Sequence, residues 1–310
     1  MEIVTGSASI SLPPCVATIG CFDGVHRGHQ YLLEQVHNIA KAEGIASCLI
    51  TFANHPRQVL DTSFRPRLLT CLSQKIERFE QSPIEYCVLL PFTKELSLLS
   101  AREFMKVLHE EYHVQTLFVG HDHHFGHSKN EGFQEYCQYG KEFGMRVMHS
   151  KALTEDGVSV SSTLIRSCLC EGKIELANSY LGYHYYLTGT VVDGRKVGRT
   201  LGFPTANIQP LCADKLLPAL GVYAVYVYLG GKRYEGMLNI GSCPTVHDGD
   251  KSITVEVHIL DFEKGIYQET IKVEFIDYIR PEVKFENVEE LTLQLQKDKI
   301  VAKKLLDQKE

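Results

Sequence analysis

The stretch Gly20-Cys-Phe-Asp-Gly-Val-His-Arg-Gly-His29 brings two histidines, a carboxylate and three glycines into ten residues. It follows a β-branched run, Val16-Ala-Thr-Ile19, and opens into a segment where Leu32, Val36, Ile39 and Ala40 share one helical face. The pattern predicts strand, tight glycine turn, helix. Backbone amides at such a helix start point outward, and the helix dipole favours negative charge there. Gly24 and Gly28 allow a ligand close to the backbone, and His26 and His29 supply donors for phosphate oxygens. With Asp23 in the same turn, the expected chemistry is nucleotide binding.

Two further groups carry reactive side chains. Val160-Ser-Ser-Thr-Leu-Ile-Arg166 sets Ser161, Ser162 and Thr163 one turn ahead of Arg166 at a predicted helix start. Hydroxyls there are ordinary caps. With a guanidinium one turn on they also form a phosphate grip, because its forked donors match phosphate oxygens. In the predicted strand from Ile253 to Ile259, alternation sets Val255, Val257 and Ile259 on one face and Glu256 and His258 on the other. A strand glutamate is either simply solvated or a carboxylate able to orient an alcohol and take its proton.

Positioning these groups requires two different scaffolds. In the first half, predicted strands at Ile45 to Phe52, Ile84 to Leu90 and Val114 to Val119 alternate with helical spacing, including Leu72 to Phe79. Gly44 is placed to cap the first helix, and Ser100 with Glu103 forms a capping box ahead of inward-facing Phe104, Val107 and Leu108. This alternation predicts a Rossmann-like α/β domain with a mostly parallel sheet, binding ligands beyond the carboxyl ends of its strands. The glycine turn, Thr51 to Pro56 and Phe118 to Gly126 all lie at such ends. A last helix stops at Gly182. Beyond it, runs at 185–192, 221–228, 234–240, 253–259 and 270–276 read as short strands between glycine-rich turns, which predicts an antiparallel β-barrel. A C-terminal helix from about Asn287, with Leu291, Leu295, Ile300 and Leu305 as its apolar face, is expected to cover the barrel. The expected domains are 1–182 and 183–310.

The glycine turn resembles the His-x-Gly-His signature of nucleotidyltransferases. Its longer form, Gly-x-Phe-Asp-Gly-Val-His-x-Gly-His-Gln, resembles the bacterial bifunctional riboflavin kinase/FMN adenylyltransferase (FAD synthetase) family. Thr51-Phe-Ala-Asn-His-Pro56 and Phe118-Val-Gly-His-Asp-His-His-Phe-Gly126 are similar to that family's flavin-side segments, with Asn54 where proline is usual and His123 where phenylalanine is usual. The Ser-Ser-Thr-x-Ile-Arg run matches as well. Gly198-Arg-Thr-Leu-Gly-Phe-Pro-Thr-Ala-Asn207 is similar throughout to the riboflavin kinase signature, and 239–245 and 255–262 extend the likeness. Departures at Asp193, Gln268 and Tyr183-His184 fall outside these motifs.

The resemblance implies two ATP-dependent reactions, riboflavin to FMN and FMN to FAD. In the first domain it assigns ATP to Gly20, Phe22, Asp23, Gly24, Gly28, Ser161, Ser162 and Thr163. His26, His29 and Arg166 stabilise the phosphates in catalysis, and Asn54, His55 and Asp122 lie on the flavin side. An FMN phosphate is already ionised at neutral pH, so adenylyl transfer needs alignment and charge cancellation rather than a base. In the second domain the resemblance implies that Gly198, Arg199, Gly202, Phe203, Pro204, Thr205 and Asn207 hold ATP. Thr205 and Asn207 also offer oxygens to Mg2+. Riboflavin's 5′-hydroxyl is a neutral alcohol, and Glu256 matches the family's proton acceptor. Arg280 has two readings, a contact to the flavin's phosphate or ribityl end, or a surface salt bridge.

Composition narrows the field. With 310 residues, 44% hydrophobic and 23% charged, the chain has room for two globular cores. A net charge of −6 argues against a broad nucleic-acid surface. No run approaches a membrane span, no signal peptide opens the chain, and ten cysteines without a Cys-x-x-Cys pair read as reduced thiols, so a cytoplasmic protein is expected. His121, His123, His124 and His127 lack a completing ligand set, and zinc is not expected. The sequence leaves oligomeric state open. Rival readings are a nucleotidyltransferase with another substrate and an accessory barrel, or a non-catalytic flavin-binding regulator. The intact Gly-Phe-Pro-Thr-Ala-Asn motif argues against the first; His26, His29, Arg166, Thr205, Asn207 and Glu256 argue against the second.

Overall fold

The computed structural model describes residues 1–5, 12–120, 124–127, 131–150, 153–155, 157–194, 202–244 and 251–309. The chain divides into two compact units, Met1–Ser162 and Thr163–Glu310. The expected junction at Tyr183 lies some way beyond this division, because the two helices that precede Tyr183 group with the second unit.

In the first unit, β1 (Glu2–Thr5), β2 (Cys15–Ile19), β3 (Ala46–Phe52), β4 (Tyr86–Leu90), β5 (Val114–Val119) and β6 (Arg146–His149) form one sheet ordered β1-β4-β3-β2-β5-β6. Every pairing in it is parallel. Helices α1 (Arg27–Glu43), α2 (Pro56–Leu60), α3 (Leu72–Glu80), α4 (Lys94–Leu98), α5 (Ala101–Glu110) and α6 (Phe133–Phe143) supply the crossovers. The order reverses between β2 and β5, which opens a crevice at their carboxyl ends. β3, β2 and β5 are neighbours, so the three segments singled out in the sequence leave the sheet side by side. Gly44 ends α1 in the left-handed conformation at φ 68°. The Ser100–Glu103 capping box is present in both directions, the Glu103 amide donating to Ser100 Oγ at 3.2 Å and the Ser100 amide to Glu103 Oε2 at 2.8 Å. β1, α6, β6 and the small hairpin of β7 (Thr154–Glu155) and β8 (Val158–Ser159) went unassigned in the sequence. Nine described cysteines are free thiols. Cys15, Cys48 and Cys87 are fully buried on the adjacent strands β2, β3 and β4, and burial pushes the Cys87 thiol up to about 12.

The second unit begins with α7 (Ser162–Cys170), whose first residue belongs to the first unit, and α8 (Ile174–Leu181). Six strands follow, β9 (Tyr186–Val192), β10 (Ala206–Pro210), β11 (Gly221–Leu229), β12 (Lys232–Pro244), β13 (Lys251–Ile259) and β14 (Thr270–Arg280). They close as β10-β13-β12-β11-β14-β9, all antiparallel. The closing strand β10 was missed because Pro204 and the polar Thr205, Asn207 and Gln209 mask its one inward residue, Ile208, which is 5% exposed. Asn178 ties α8 to the barrel, accepting from the Tyr185 amide at 2.7 Å and donating to the Phe275 carbonyl at 2.9 Å.

The last helix, α9 (Val288–Asp307), is capped by Asn287, which accepts from the Glu290 amide. Its buried face is Leu295, Asp298, Ala302, Leu305 and Leu306. Ile300, expected on that face, is 70% exposed. The 100° step per residue turns it away once Asp298 points inward, and Asp298 points inward because Arg280 awaits it. Arg280 Nε and a terminal nitrogen hold the Asp298 carboxylate at 2.8–3.0 Å, and Gln294 adds a third donor at 2.8 Å. Removing one partner of a buried ion pair strands the other charge. Asp298→Ala is therefore expected to destabilise the second unit by about 3 kcal/mol, read as a lowered denaturant midpoint in a fluorescence-monitored unfolding curve.

Candidate functional sites

α1 starts at Arg27, earlier than its apolar periodicity suggested, and His26 is its N-cap. The two histidines therefore sit at the cap and in the first turn, with rings stacked at 3.6 Å and 20°. A Cβ on Gly28 would meet the His26 ring at 3.2 Å and the Val160 carbonyl oxygen at 3.5 Å, so glycine makes room for the imidazole to lie across the helix start. Phe22 is 3% exposed and meets His29 edge-on at 5.2 Å. Its part is to buttress that ring from within the core. The turn is strained: Phe22 has φ 50°, Gly24 φ 85° and the β-branched Val25 φ 36°. Non-glycine residues in this region cost roughly 1–3 kcal/mol each and persist only when surrounding contacts hold them.

Those contacts come from Asp23 and its neighbours. The Asp23 carboxylate accepts from the Leu69 amide at 3.0 Å and the Thr70 amide at 2.9 Å, and the Gly24 amide donates to Thr70 Oγ1 at 2.9 Å. The carboxylate of Asp23, for which the resemblance implies a nucleotide contact, accepts from the amides at 69–70. Ser162 Oγ donates to the Asp23 carbonyl at 2.8 Å, which brings the start of α7 to the turn. Ser161 lies just ahead of that start, Thr163 is exposed on it, and Arg166 is one turn on.

Beside the turn is a recess lined by Cys21, Asp23, Phe52, Asn54, His55 and Lys75. Asn54, in place of the usual proline, spends both ends of its amide on the Phe92 backbone, donating at 2.9 Å and accepting at 2.8 Å. It fixes the loop after β4 and lines the recess. His55 caps α2 through Nδ1, which accepts from the Arg57 amide. Asp122 lies outside the described residues. Lys75 was not found in the sequence; it is a lysine 8% exposed, and nothing in a helical Gln-Lys-Ile context marks it as buried.

In the second unit the ladder sets Asn207 and Asn239 on either side of Glu256, across three neighbouring strands. Directly opposite residues share a face of the sheet. Thr205 Oγ1 donates to Glu256 Oε2 at 3.1 Å. Two cavities meet at Thr205. One, about 820 Å3, runs along Pro204, Asn207 and the loop from Phe262 to Tyr267. The other, about 310 Å3, is walled by Phe203, Met237, Phe285 and Leu295, with Glu256 and Asn239 as polar groups. His258 Nδ1 lies 2.8 Å from the Pro204 carbonyl, and burial pushes its imidazole pKa down. A neutral ring donating from Nδ1 pins Pro204, the residue before Thr205. Arg280 also lines the smaller cavity, but its guanidinium is committed to Asp298. Of its two readings the salt bridge is what the structure holds, and it is buried rather than on the surface. Gly202 turns with φ 77°. Gly198 and Arg199 lie outside the described residues.

Gly194 governs Asn207. A Cβ built on it would fall 1.8 Å from Asn207 Nδ2. Its φ is not in the left-handed region, so the side chain alone yields. Gly194→Ala is expected to leave the thermal midpoint within about a degree or two, since only one half-buried side chain moves. The riboflavin phosphorylation that the sequence resemblance implies should fall by about tenfold or more if that amide serves it, as measured by FMN formation.

Comparison with known proteins agrees with both halves. Residues 9–164 match the family model for FAD synthetase, and residues 181–306 match that for riboflavin kinase. The chain is 38% identical to the bifunctional riboflavin kinase/FMN adenylyltransferase of Listeria monocytogenes, over 91% of this chain and 90% of that one. It is 34% identical to the protein of the same name in Escherichia coli K12, over 98% and 97%. The Bacillus subtilis protein is 36% identical, over 92% and 90%. A crystal structure described as a macrolide-efflux protein from Streptococcus pneumoniae has the same fold, with a TM-score of 0.88 at 28% identity over 98% of this chain and 99% of that one. Among the described residues, no helix is long and apolar enough to cross a membrane.

Proposed function

The chain belongs to the bifunctional riboflavin kinase/FMN adenylyltransferase family, and we propose that it makes its two products at two separate sites. It is a bifunctional enzyme that phosphorylates riboflavin to FMN and transfers an adenylyl group from ATP to FMN, giving FAD and pyrophosphate. We assign the adenylyltransferase to residues 1–182 and the kinase to 183–310.

In the kinase, the larger cavity takes ATP and the apolar smaller one takes the flavin. The Thr205–Glu256 contact at their meeting point carries this reading. Glu256 accepts the proton of riboflavin's 5′-hydroxyl as that oxygen bonds to the γ-phosphorus, and the bond to ADP breaks. Asn239 flanks the carboxylate and Phe203 walls the ring. The Thr205 hydroxyl and the Asn207 amide oxygen are hard donors, and the space kept by Gly194 gives Asn207 room to turn, which fits a divalent cation. Such an ion, taken here as Mg2+, neutralises charge on the ATP phosphates when bound.

In the adenylyltransferase, the α1 amides, His26 and His29 receive the ATP phosphates, joined by Ser161 and by Ser162 at the start of α7. An FMN phosphate oxygen bonds to the α-phosphorus and pyrophosphate leaves. Gly20, Phe22, Asp23, Gly24 and Gly28 shape the turn, and Asn54 and His55 border the flavin side. The partners are small molecules, without nucleic acid or membrane, and the setting is the cytoplasm. Incubation with riboflavin, ATP and Mg2+ tests the whole scheme: each FAD formed should be accompanied by one ADP and one pyrophosphate. Release of pyrophosphate without FMN or FAD would overturn it.

A further inference from the structure

Lys75 is used by no step above, although it is buried beside the turn. It lies in the first turn of α3, and its ammonium donates to the Cys21 carbonyl at 3.2 Å, Thr51 Oγ1 at 3.1 Å and the Phe52 carbonyl at 3.1 Å. All three of its protons are spent, so it holds protein rather than ligand. Burial pushes its pKa down, and Cys21 and Asp23 pull it back up. A buried charge is retained only where acceptors surround it.

Six and five residues before it, Leu69 and Thr70 supply the amides that grip Asp23, and Thr70 Oγ1 takes the Gly24 amide. The segment 69–75 therefore grasps the strained turn at Cys21, Asp23 and Gly24, and through Lys75 the end of β3 as well. Phe22 and Val25, the non-glycine residues of the turn with positive φ, lie between or next to these anchor points. The end of β3 leads directly into Asn54 and His55. One short segment thus sets both the shape of the turn and its separation from the flavin-side residues.

We propose that Thr70 and Lys75 are positioning residues for adenylyl transfer, holding the strained turn in the geometry that receives ATP phosphates and fixing it against the 51–56 segment. This rests on the reading that the turn holds ATP. The kinase in the same chain serves as an internal control.

Thr70→Val keeps the side chain's shape and removes its hydroxyl, leaving the Gly24 amide without its acceptor. The expected result is a rise of about tenfold in the KM for ATP in FMN adenylylation, with riboflavin phosphorylation changed by less than about twofold. Thr70→Ser, which restores the hydroxyl, should return the KM to within about threefold of the parent. Lys75→Met should move the same KM in the same direction. An unchanged KM in Thr70→Val, a parallel fall in kinase activity, or failure of Thr70→Ser to recover would overturn the proposal. If His29→Ala leaves adenylyl transfer intact, the ATP reading itself fails; if His29→Ala cripples it and Thr70→Val does not, only the positioning role fails.

Discussion

Glu256→Gln is expected to lower FMN formation by about 10²–10⁴-fold, the range spanned by a general base. The substitution keeps the side chain's length, and the Gln oxygen can still accept from Thr205, which lies 3.1 Å from the carboxylate in the parent. What disappears is the ability to take the proton from a neutral alcohol. The β13 register that sets Asn207 and Asn239 beside it is a backbone feature and stays. FAD should still form from supplied FMN at close to the parental rate. Assaying each half-reaction with its own flavin checks this. A loss of both activities in a folded protein would mean that the two reactions share a site.

His29→Ala is expected to give the opposite pattern, with adenylyl transfer reduced by about 10²–10³-fold, the typical loss for one donor aimed at developing charge. The ring is stacked on His26 at 3.6 Å and backed by Phe22, so it is held in place before substrate arrives. Alanine removes the donor and one side of the support for His26. The helix loses little, because His29 is only partly buried and alanine favours helices. Riboflavin phosphorylation should continue and FMN should accumulate. Chromatographic separation of FMN and FAD in a single incubation distinguishes this outcome from general inactivation.

Much of this was readable in the sequence because the governing signals are local. Gly44, Gly182, the Ser100–Glu103 box and the β-branched strands depend on neighbours a few residues away. The parallel order of β3, β2 and β5 follows from alternation of strand and helix, and it brings the motifs together. What the sequence left out has a different origin. The protein partners of Asp23 at 69–70, of Asn54 at Phe92 and of Arg280 at Asp298 lie 18 to 47 residues away. A polar side chain in a motif has no local mark that says whether its partner is a ligand or a distant backbone amide. Ile300 failed for the same reason, since the inward turn of α9 is decided by a charge on β14. Lys75 was invisible because two of its three acceptors are backbone carbonyls, which every residue carries.

The buried thiols of β2, β3 and β4 have a use beyond filling space. Cys15, Cys48 and Cys87 lie on adjacent strands of the parallel sheet, shielded from solvent, with the Cys87 thiol pushed up by burial, whereas Cys21 and Cys170 are exposed. A small electrophile reaches the exposed pair in the native protein but reaches the strand thiols only when the sheet parts. The rate at which those three become modified therefore measures how often the nucleotide-binding half breathes, residue by residue, while the barrel keeps its own time.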